Sequence, residues 1–327
     1  MDENLKDKKY TIGIIGLGPI GQTLSVFFRE AGCEVAVTDL DREKLNLIRT
    51  NGIELVSAIN KKAYVKYVYY SIQEMLEHDF DILISCVKDY HVDYILEQIE
   101  NNLKRDIYLL SAQNGIDIRR HYVNHFKESM ILRLVVNFAG NLQAPNVTGI
   151  NFVNPPNYVG SVDDSSPEIA QWIAKTLSSV HLETKAVNSF EIIDKIWEKT
   201  ILNAALSPLC GISRLTMKET MDNPDTHEIV EQILYEAVEV AKAEEIKLPE
   251  NFIKLAIRYL KNAGNHMPSL AVDLINNRET EIDFMNGKIV EYGRKHYIRT
   301  PLNLTLTNLV KAISYKNGKV KSKSINK

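Results

Sequence analysis

A basic surplus is missing from this chain. Thirty-nine Lys and Arg stand against 42 Asp and Glu, a net charge of −3, so neither nucleic acid nor an anionic membrane surface is an expected partner. Long apolar runs are missing too: no stretch approaches the roughly 18 residues that cross a bilayer, and residues 1–9 are polar, without the apolar centre of a leader. A cytoplasmic location is expected. Cysteine is scarce. Cys33, Cys86 and Cys210 are odd in number and lack metal-ligand spacing, and Cys210 follows Pro208 and Leu209 with no histidine nearby to activate it, so buried, inert thiols are expected rather than a zinc site or a nucleophile. Apart from His121 and His125, which are spaced HxxxH, the eight histidines are scattered, and no metal is expected. The lysine-rich ends, residues 6–9 and 316–327, read as solvated tails, the second a disordered basic tail from about residue 316.

What the chain does have is material for a full core: 327 residues, 45% hydrophobic and 25% charged, enough for two domains. Its most informative stretch joins the apolar run Thr11–Ile15 to Gly16-Leu17-Gly18-Pro19-Ile20-Gly21, then to the helical-period residues Leu24, Phe27 and Phe28. That is strand, glycine turn and helix, the order a dinucleotide pyrophosphate needs. Gly16 permits the turn, Gly18 admits the phosphates close to the backbone, Gly21 lets helix pack on strand, and the helix N-terminus meets the anion with unpaired N–H groups. A second strand, Glu34–Thr38, ends in Asp39, 18 residues beyond Gly21, where a ribose-binding acid is expected. All six residues of the turn and Asp39 are thus candidate cofactor contacts.

Strand and helix patterns alternate from there. A polar helix over 41–50, short β-rich pieces near 53–56 and 64–70, a buried strand over 81–87, a helix over 92–99, a strand over 107–110, an amphipathic segment over 118–126 and a strand over 131–136 follow in turn. This predicts an α/β fold with an open, doubly wound parallel sheet, whose ligands lie beyond the carboxyl ends of its strands. Asp39, Lys88 and Asn114 all fall at such ends. Asn, Pro, Gly and Ser punctuation over 151–166 reads as loops or hairpins, and a helix over 167–179 closes a dinucleotide-binding domain of residues 1–188. Helical periodicity then dominates, predicting an all-α substrate domain over 189–327.

In that second part Lys199, Asn203 and Ser207 recur every four residues, an amine, an amide and a hydroxyl along one line of a helix. Pro208 cannot donate to the Ala204 carbonyl and is expected to kink or end the helix there. Spacing alone favours a surface lysine balanced by Glu198, but the helix is apolar around it, which points Lys199 and Asn203 towards a cleft. Ser269 and Glu281 read in isolation as a helix cap and a solvated acidic stretch. Asn114 in Gln113-Asn114-Gly115 reads in isolation as a turn.

Taken together, GLGPIG, Cys86-Val87-Lys88, Gln113-Asn114-Gly115, Trp197-Glu198-Lys199 with Asn203, Ser269, and Thr280-Glu281-Ile282-Asp283 with Asn286-Gly287 resemble the ketopantoate reductases (2-dehydropantoate 2-reductases) and the related D-2-hydroxyacid dehydrogenases, over roughly residues 11–313. The Gly-Gly substrate motif of the β-hydroxyacid dehydrogenases, which share the lysine and asparagine spacing, is absent. The resemblance implies a Rossmann-type domain followed by a helical one. It implies Lys199 as general acid and Glu281 as a second catalytic residue that positions that lysine or a substrate hydroxyl and borders the cofactor. Asn203, Ser207 and Ser269 would hold substrate oxygens, and Asn114 with Lys88 would line the nicotinamide side. The implied reaction reduces a 2-keto acid, ketopantoate to (R)-pantoate. The chain departs from many members in two places. Asp39, where an arginine often meets the 2′-phosphate of NADPH, favours NAD(H), with Arg42 leaving NADP(H) open. Ser207 replaces an asparagine, which suits an NAD-dependent D-2-hydroxyacid dehydrogenase of other branched or aromatic 2-keto acids. A dinucleotide-binding sensor without turnover is the reading from another class, disfavoured because Lys199 and Glu281 are both present. The carboxyl-terminal helices are compatible with a homodimer.

Overall fold

β-branched and aliphatic residues fill the strands of the first half, and amphipathic helices link them. The computed structural model describes residues 10–325, with side chains as far as residue 316. The amino-terminal lysines expected to be solvated lie outside the described residues. Two compact units are formed, one from residues up to 113 with Asp117–Ile192, the other from Asn114–Ile116 with residues from 193 onward.

In the first unit β1 (Thr11–Ile15), α1 (Pro19–Glu30), β2 (Glu34–Thr38), α2 (Arg42–Asn51), β3 (Ile53–Ser57), β4 (Lys61–Ala63), β5 (Tyr67–Tyr69), α3 (Ile72–Met75), β6 (Ile82–Ser85), α4 (Val92–Asn102), β7 (Tyr108–Ser111), α5 (Ile118–Val123) and β8 (Ile131–Val135) alternate as expected. β9 (Phe138–Ala144), β10 (Val147–Val153), β11 (Asn157–Ser161), α6 (Pro167–Ser179) and β12 (Thr184–Ala186) complete it. Eight strands form one sheet in the order β12-β11-β8-β7-β6-β1-β2-β5. The order runs outward in both directions from β1, so the switch point lies between β1 and β6, where open α/β sheets bind ligands. Its apolar interior is continuous with α1 and α6: Ile12, Ile14, Phe27, Phe28 and Ile173 are all buried, and Trp172 packs edge-on to Tyr10 at 4.6 Å between ring centroids.

Two features depart from the sequence expectation. The main sheet is mixed rather than wholly parallel, because β11 runs antiparallel to β8. A second, four-stranded sheet, β4-β3-β10-β9, uses residues 138–153, most of which had no assigned element. β9 and β10 pair around Pro145-Asn146 with two register shifts. Irregular pairing interrupts the period-two alternation by which a strand is recognised in sequence.

The second unit continues α7 (Ser189–Ser213) from Ile193, then adds α8 (Met217–Asp222), α9 (Pro224–Ala243), α10 (Phe252–Lys261), α11 (Ser269–Ile275), α12 (Asn286–Lys295) and α13 (Pro301–Ile325). Among its described residues there is no strand. A capping box of Thr216 and Glu219 starts α8, and the Asn223 side chain accepts from the first-turn amides of α9. Ile201, Ala204, Ile233, Leu234, Leu270 and Ile289 fill its core. The basic segment from 316, expected as a disordered tail, continues the backbone of α13 as helix to Ile325.

Pro208 neither ends nor breaks α7. The carbonyl it leaves without an N–H donor, that of Ala204, accepts instead from Asn286 Nδ2 at 3.0 Å. Asn286 in turn donates to Asn303 Oδ1 at 3.0 Å, and Asn303 is held by Glu236 through its amide and backbone. A side chain from α12 thus satisfies the acceptor that proline orphans, and the helix passes through.

Candidate active site

Three glycines shape the turn after β1, each for its own reason. Gly16 has φ +91°, and a Cβ there would sit 2.9 Å from the Val87 nitrogen. A Cβ on Gly21 would fall well inside contact distance of the Gly16 carbonyl oxygen. A Cβ on Gly18 would meet nothing within 4 Å, so no protein atom explains that glycine, whereas a phosphate approaching the backbone does. Gly18 caps α1 without a side-chain bond and Pro19 occupies its first turn, leaving amides there for an anion. The turn fits a dinucleotide pyrophosphate, which Gly16, Leu17, Gly18, Pro19, Ile20 and Gly21 would hold.

Asp39 braces this turn as well as bordering it. Its Oδ2 accepts from the Leu17 amide at 2.6 Å and from Lys44 Nζ at 3.2 Å, and its Oδ1 accepts from the Asp41 amide at 2.9 Å. Oδ1 retains acceptor capacity for a ribose hydroxyl. Lys44, absent from the sequence reading, is the cation paired with Asp39; Arg42 lies with its guanidinium 5.9 Å from the centre of the Tyr70 ring. Gln22 was also missed. Its Nε2 donates to the Leu17 carbonyl at 3.1 Å and the Pro145 carbonyl at 2.6 Å, while Thr148 donates to its Oε1 at 2.8 Å, which ties the turn to the β9–β10 hairpin. Neither residue carried a signal beyond its proximity to the motif.

Lys88 follows β6 and precedes a single 3-10 turn, Asp89–His91. Cys86, two residues earlier, has its thiol pKa pushed up by burial, in keeping with an inert side chain.

The second unit gathers the other candidates: Asn114, Lys199, Asn203, Ser207, Ser269 and Glu281 all belong to it. Asn114 opens a turn in which Gly115 has φ +94°, so the turn reading holds locally, yet its side-chain Oδ1 is buried without a hydrogen-bond partner. Two residues on, the Ile116 amide donates to the Phe284 carbonyl at 3.0 Å, joining this segment to the 3-10 turn Ile282–Phe284 that follows Glu281. Glu281 is 4% exposed, which replaces the solvated-stretch reading; the neighbouring Asp283 is the exposed acid and pairs with Lys311 at 2.8 Å. Lys199 and Asn203 are half-buried and Ser207 is buried on α7. Glu198 is held by Lys195 at 2.9 and 3.1 Å. Ser269 is the first residue of α11 and exposed, and Pro268 rather than Ser269 occupies the cap position. A Cβ on Gly211 would stand 3.0 Å from Leu274 Cδ2, so the end of α7 packs closely on α11. With Asn286 joining α12 to Ala204, the helix bearing Lys199 is fixed to the segments bearing Ser269 and Glu281. An ammonium, an amide, a hydroxyl and a buried carboxylate on one framework suit proton delivery to a polar substrate.

Among the described residues no helix is long and apolar enough to cross a membrane, and no group of three or more His, Cys, Asp and Glu is placed to hold a metal ion.

Comparison with known proteins agrees with the layout. Residues 12–163 match the family described as ketopantoate reductase PanE/ApbA, and residues 191–314 match its carboxyl-terminal counterpart. A 2-dehydropantoate 2-reductase of Aquifex aeolicus is 28% identical over 309 residues, covering 91% of this chain and 95% of that protein. One from Streptococcus pyogenes serotype M3 is 27% identical over 304 residues, covering 91% and 96%. Among solved structures, D-mandelate dehydrogenase with NADH and anilino(oxo)acetate superposes with a TM-score of 0.83 at 25% identity, covering 94% of this chain and 99% of that one. A PanE/ApbA family ketopantoate reductase from Ralstonia eutropha JMP134 shares the fold, with a TM-score of 0.82 at 23% identity and the same coverage. With both family models matched in order along the chain, this protein belongs to the ketopantoate reductase family of oxidoreductases.

Proposed function

We propose that the protein reduces a 2-keto acid with a nicotinamide cofactor, ketopantoate to (R)-pantoate being the reaction that the family and the curated relatives support. The observation that carries the reading is that the second unit holds both the half-buried Lys199, on the stretch of α7 that runs on into the largely apolar residues 201–206, and the buried carboxylate of Glu281. A nicotinamide cofactor held by the Gly16–Gly21 turn would supply the hydride for the keto carbon. Lys199 Nζ donates a proton to the keto oxygen as its charge develops, and its positive charge stabilises that oxygen before transfer is complete. Glu281 orients the lysine or a substrate hydroxyl, Asn203, Ser207 and Ser269 bind substrate oxygens, and Asn114 and Lys88 border the nicotinamide. The substrate is a small molecule, the place of work in this reading is the cytoplasm, and the helical second unit is compatible with a homodimer.

NADH is the preferred cofactor. Asp39 places a carboxylate where NADP(H) would bring a 2′-phosphate, and the two repel. Lys44 at 3.2 Å offsets part of that charge, which leaves NADPH a weaker substrate rather than an excluded one.

A second reading is supported by Ser207 and by the 25% identity with a D-mandelate dehydrogenase solved with NADH: an NAD-dependent D-2-hydroxyacid dehydrogenase of other branched or aromatic 2-keto acids. Either enzyme differs from a dinucleotide-binding sensor in one test. Lys199→Ala should lower turnover by about 10²–10⁴-fold while NADH binding, followed by fluorescence titration, stays intact. Unchanged turnover in that variant would remove Lys199 from the mechanism.

A further inference from the structure

Arg133 is the single charged residue of β8, flanked by Leu132 and Leu134, and it is 2% exposed. Burial pushes its pKa down, against the neighbouring Tyr122 and Asp89, yet a guanidinium stays charged in proteins. Taking that charge out of water is unfavourable, and an aliphatic residue would serve the sheet better. The hydrogen bonds it makes show what the charge holds. Nη1 donates to Ser111 Oγ at 2.7 Å, and Nη2 donates to the Gln113 backbone carbonyl at 3.1 Å. Ser111 Oγ donates to Gln113 Oε1 at 2.5 Å, Gln113 Nε2 donates to Ser85 Oγ at 2.5 Å, and Tyr122 Oη donates to Gln113 Oε1 at 3.1 Å. Tyr122 is wholly buried and its phenol pKa is pushed up to about 12, chiefly by that burial, so it acts as a fixed neutral donor.

Each partner sits where a strand hands over to a candidate residue. Ser85 ends β6, three residues before Lys88; Ser111 ends β7, three before Asn114. Gln113 is the last residue of the first unit before the chain enters the second at Asn114. Its carbonyl shares a planar peptide group with the Asn114 nitrogen, so a donor on that oxygen sets the plane from which the Asn114 side chain departs. On the far side the Ile116 amide is held by the Phe284 carbonyl at 3.0 Å. Asn114 is therefore clamped from both directions, and its buried Oδ1 has no protein partner.

We propose that Arg133 is a positioning residue for catalysis: through the Gln113 carbonyl and Ser111 it fixes the strand ends that carry Asn114 and Lys88, so that turnover depends on it while dinucleotide affinity does not. The inference rests on the keto-acid reductase reading above. Arg133 touches neither substrate nor cofactor in this account; it acts through the peptide before Asn114.

The test compares Arg133→Met, Arg133→Lys and Ser111→Ala with the wild-type enzyme, measuring kcat and KM for the best keto acid, NADH affinity and thermal midpoint. Misplacing a group beside the reacting nicotinamide ring by a fraction of an ångström should lower kcat of Arg133→Met by roughly 10–100-fold. NADH affinity should stay within about threefold, because the Gly16–Gly21 turn is braced by Asp39 and Gln22 instead. Arg133→Lys keeps the charge and should recover part of the loss, and Ser111→Ala should reduce kcat by a smaller factor with the same unchanged affinity. Should Arg133→Met fail to fold, the other two variants decide by the same split. Folded variants with wild-type kcat, or kcat and NADH affinity falling together with the thermal midpoint, would overturn the proposal. A wild-type protein that binds NADH but turns over no keto acid would instead overturn the reading beneath it.

Discussion

Gly18 and Gly21 are both demanded by the dinucleotide turn, but only one of them is demanded by the protein alone. Gly18→Ala adds a methyl into open space, so the thermal midpoint should hold while NADH affinity falls. Gly21→Ala drives a methyl into the Gly16 carbonyl, so both should fall, and a thermal melt with and without NADH separates the two. A Gly18→Ala variant that binds NADH normally would contradict the placement of the pyrophosphate. The thiols offer a control on chemistry the site does not use. Cys210 has its pKa pushed up to about 11, chiefly by burial, so at neutral pH the folded protein should react with iodoacetamide far more slowly than the unfolded chain. At this scale the sequence exposes residue type and spacing, which is why the glycines and Asp39 can be named from it, whereas Lys199 is singled out by its apolar surroundings on the helix and Glu281 only by the family resemblance. The sequence does not expose partners: Lys44 reaching back to Asp39 depends on how the chain turns after β2, and Arg133 reaching Ser111 at the end of β7 and Gln113 just beyond it depends on register between strands some twenty residues apart.

Helices and strands were legible in proportion to how far local pattern decided them. α6, with its proline at the first turn and apolar stripe, occupies the residues its sequence indicates. β9 and β10 were missed because their register shifts interrupt alternation. α7 was expected to kink or end at Pro208, and it continues because Asn286 supplies the missing donor. Asn286→Ala should therefore destabilise the fold by about 1–3 kcal/mol, the cost of a buried acceptor left unmade. Pro208→Ala returns an N–H to position 208, so in that background the same substitution should cost less; equal losses in both backgrounds, measured by denaturant unfolding, would contradict the account. Glu244, just past the end of α9, accepts from Lys295, the last residue of α12, at 2.6 Å and from His296, which follows it. Burial acts to raise its pKa, but these hydrogen bonds and charges outweigh it and hold the carboxyl below its ordinary value of 4.5. Its folded pKa being the lower one, the unfolded chain takes up the proton first, so this contribution is present above pH 4.5 and lost as pH falls below it. Glu244→Gln should flatten that part of the stability–pH curve.

Across the whole chain, the order of an α/β half followed by a helical half is visible in periodicity alone, because parallel strands and long amphipathic helices leave different patterns. The excursion of Asn114–Ile116 into the second unit is not visible that way, since three residues carry no period and their allegiance comes from one hydrogen bond to Phe284 and the burial of Ile116. The most direct test of the central claim is the absorbance change of NADH and of NADPH, offered separately with ketopantoate, 2-ketoisovalerate and phenylglyoxylate. NADH-linked turnover should be greatest on ketopantoate, with NADPH slower; turnover confined to the other two acids would move the protein to the D-2-hydroxyacid dehydrogenases, and NADH binding without turnover of any of them would contradict its being a keto-acid reductase.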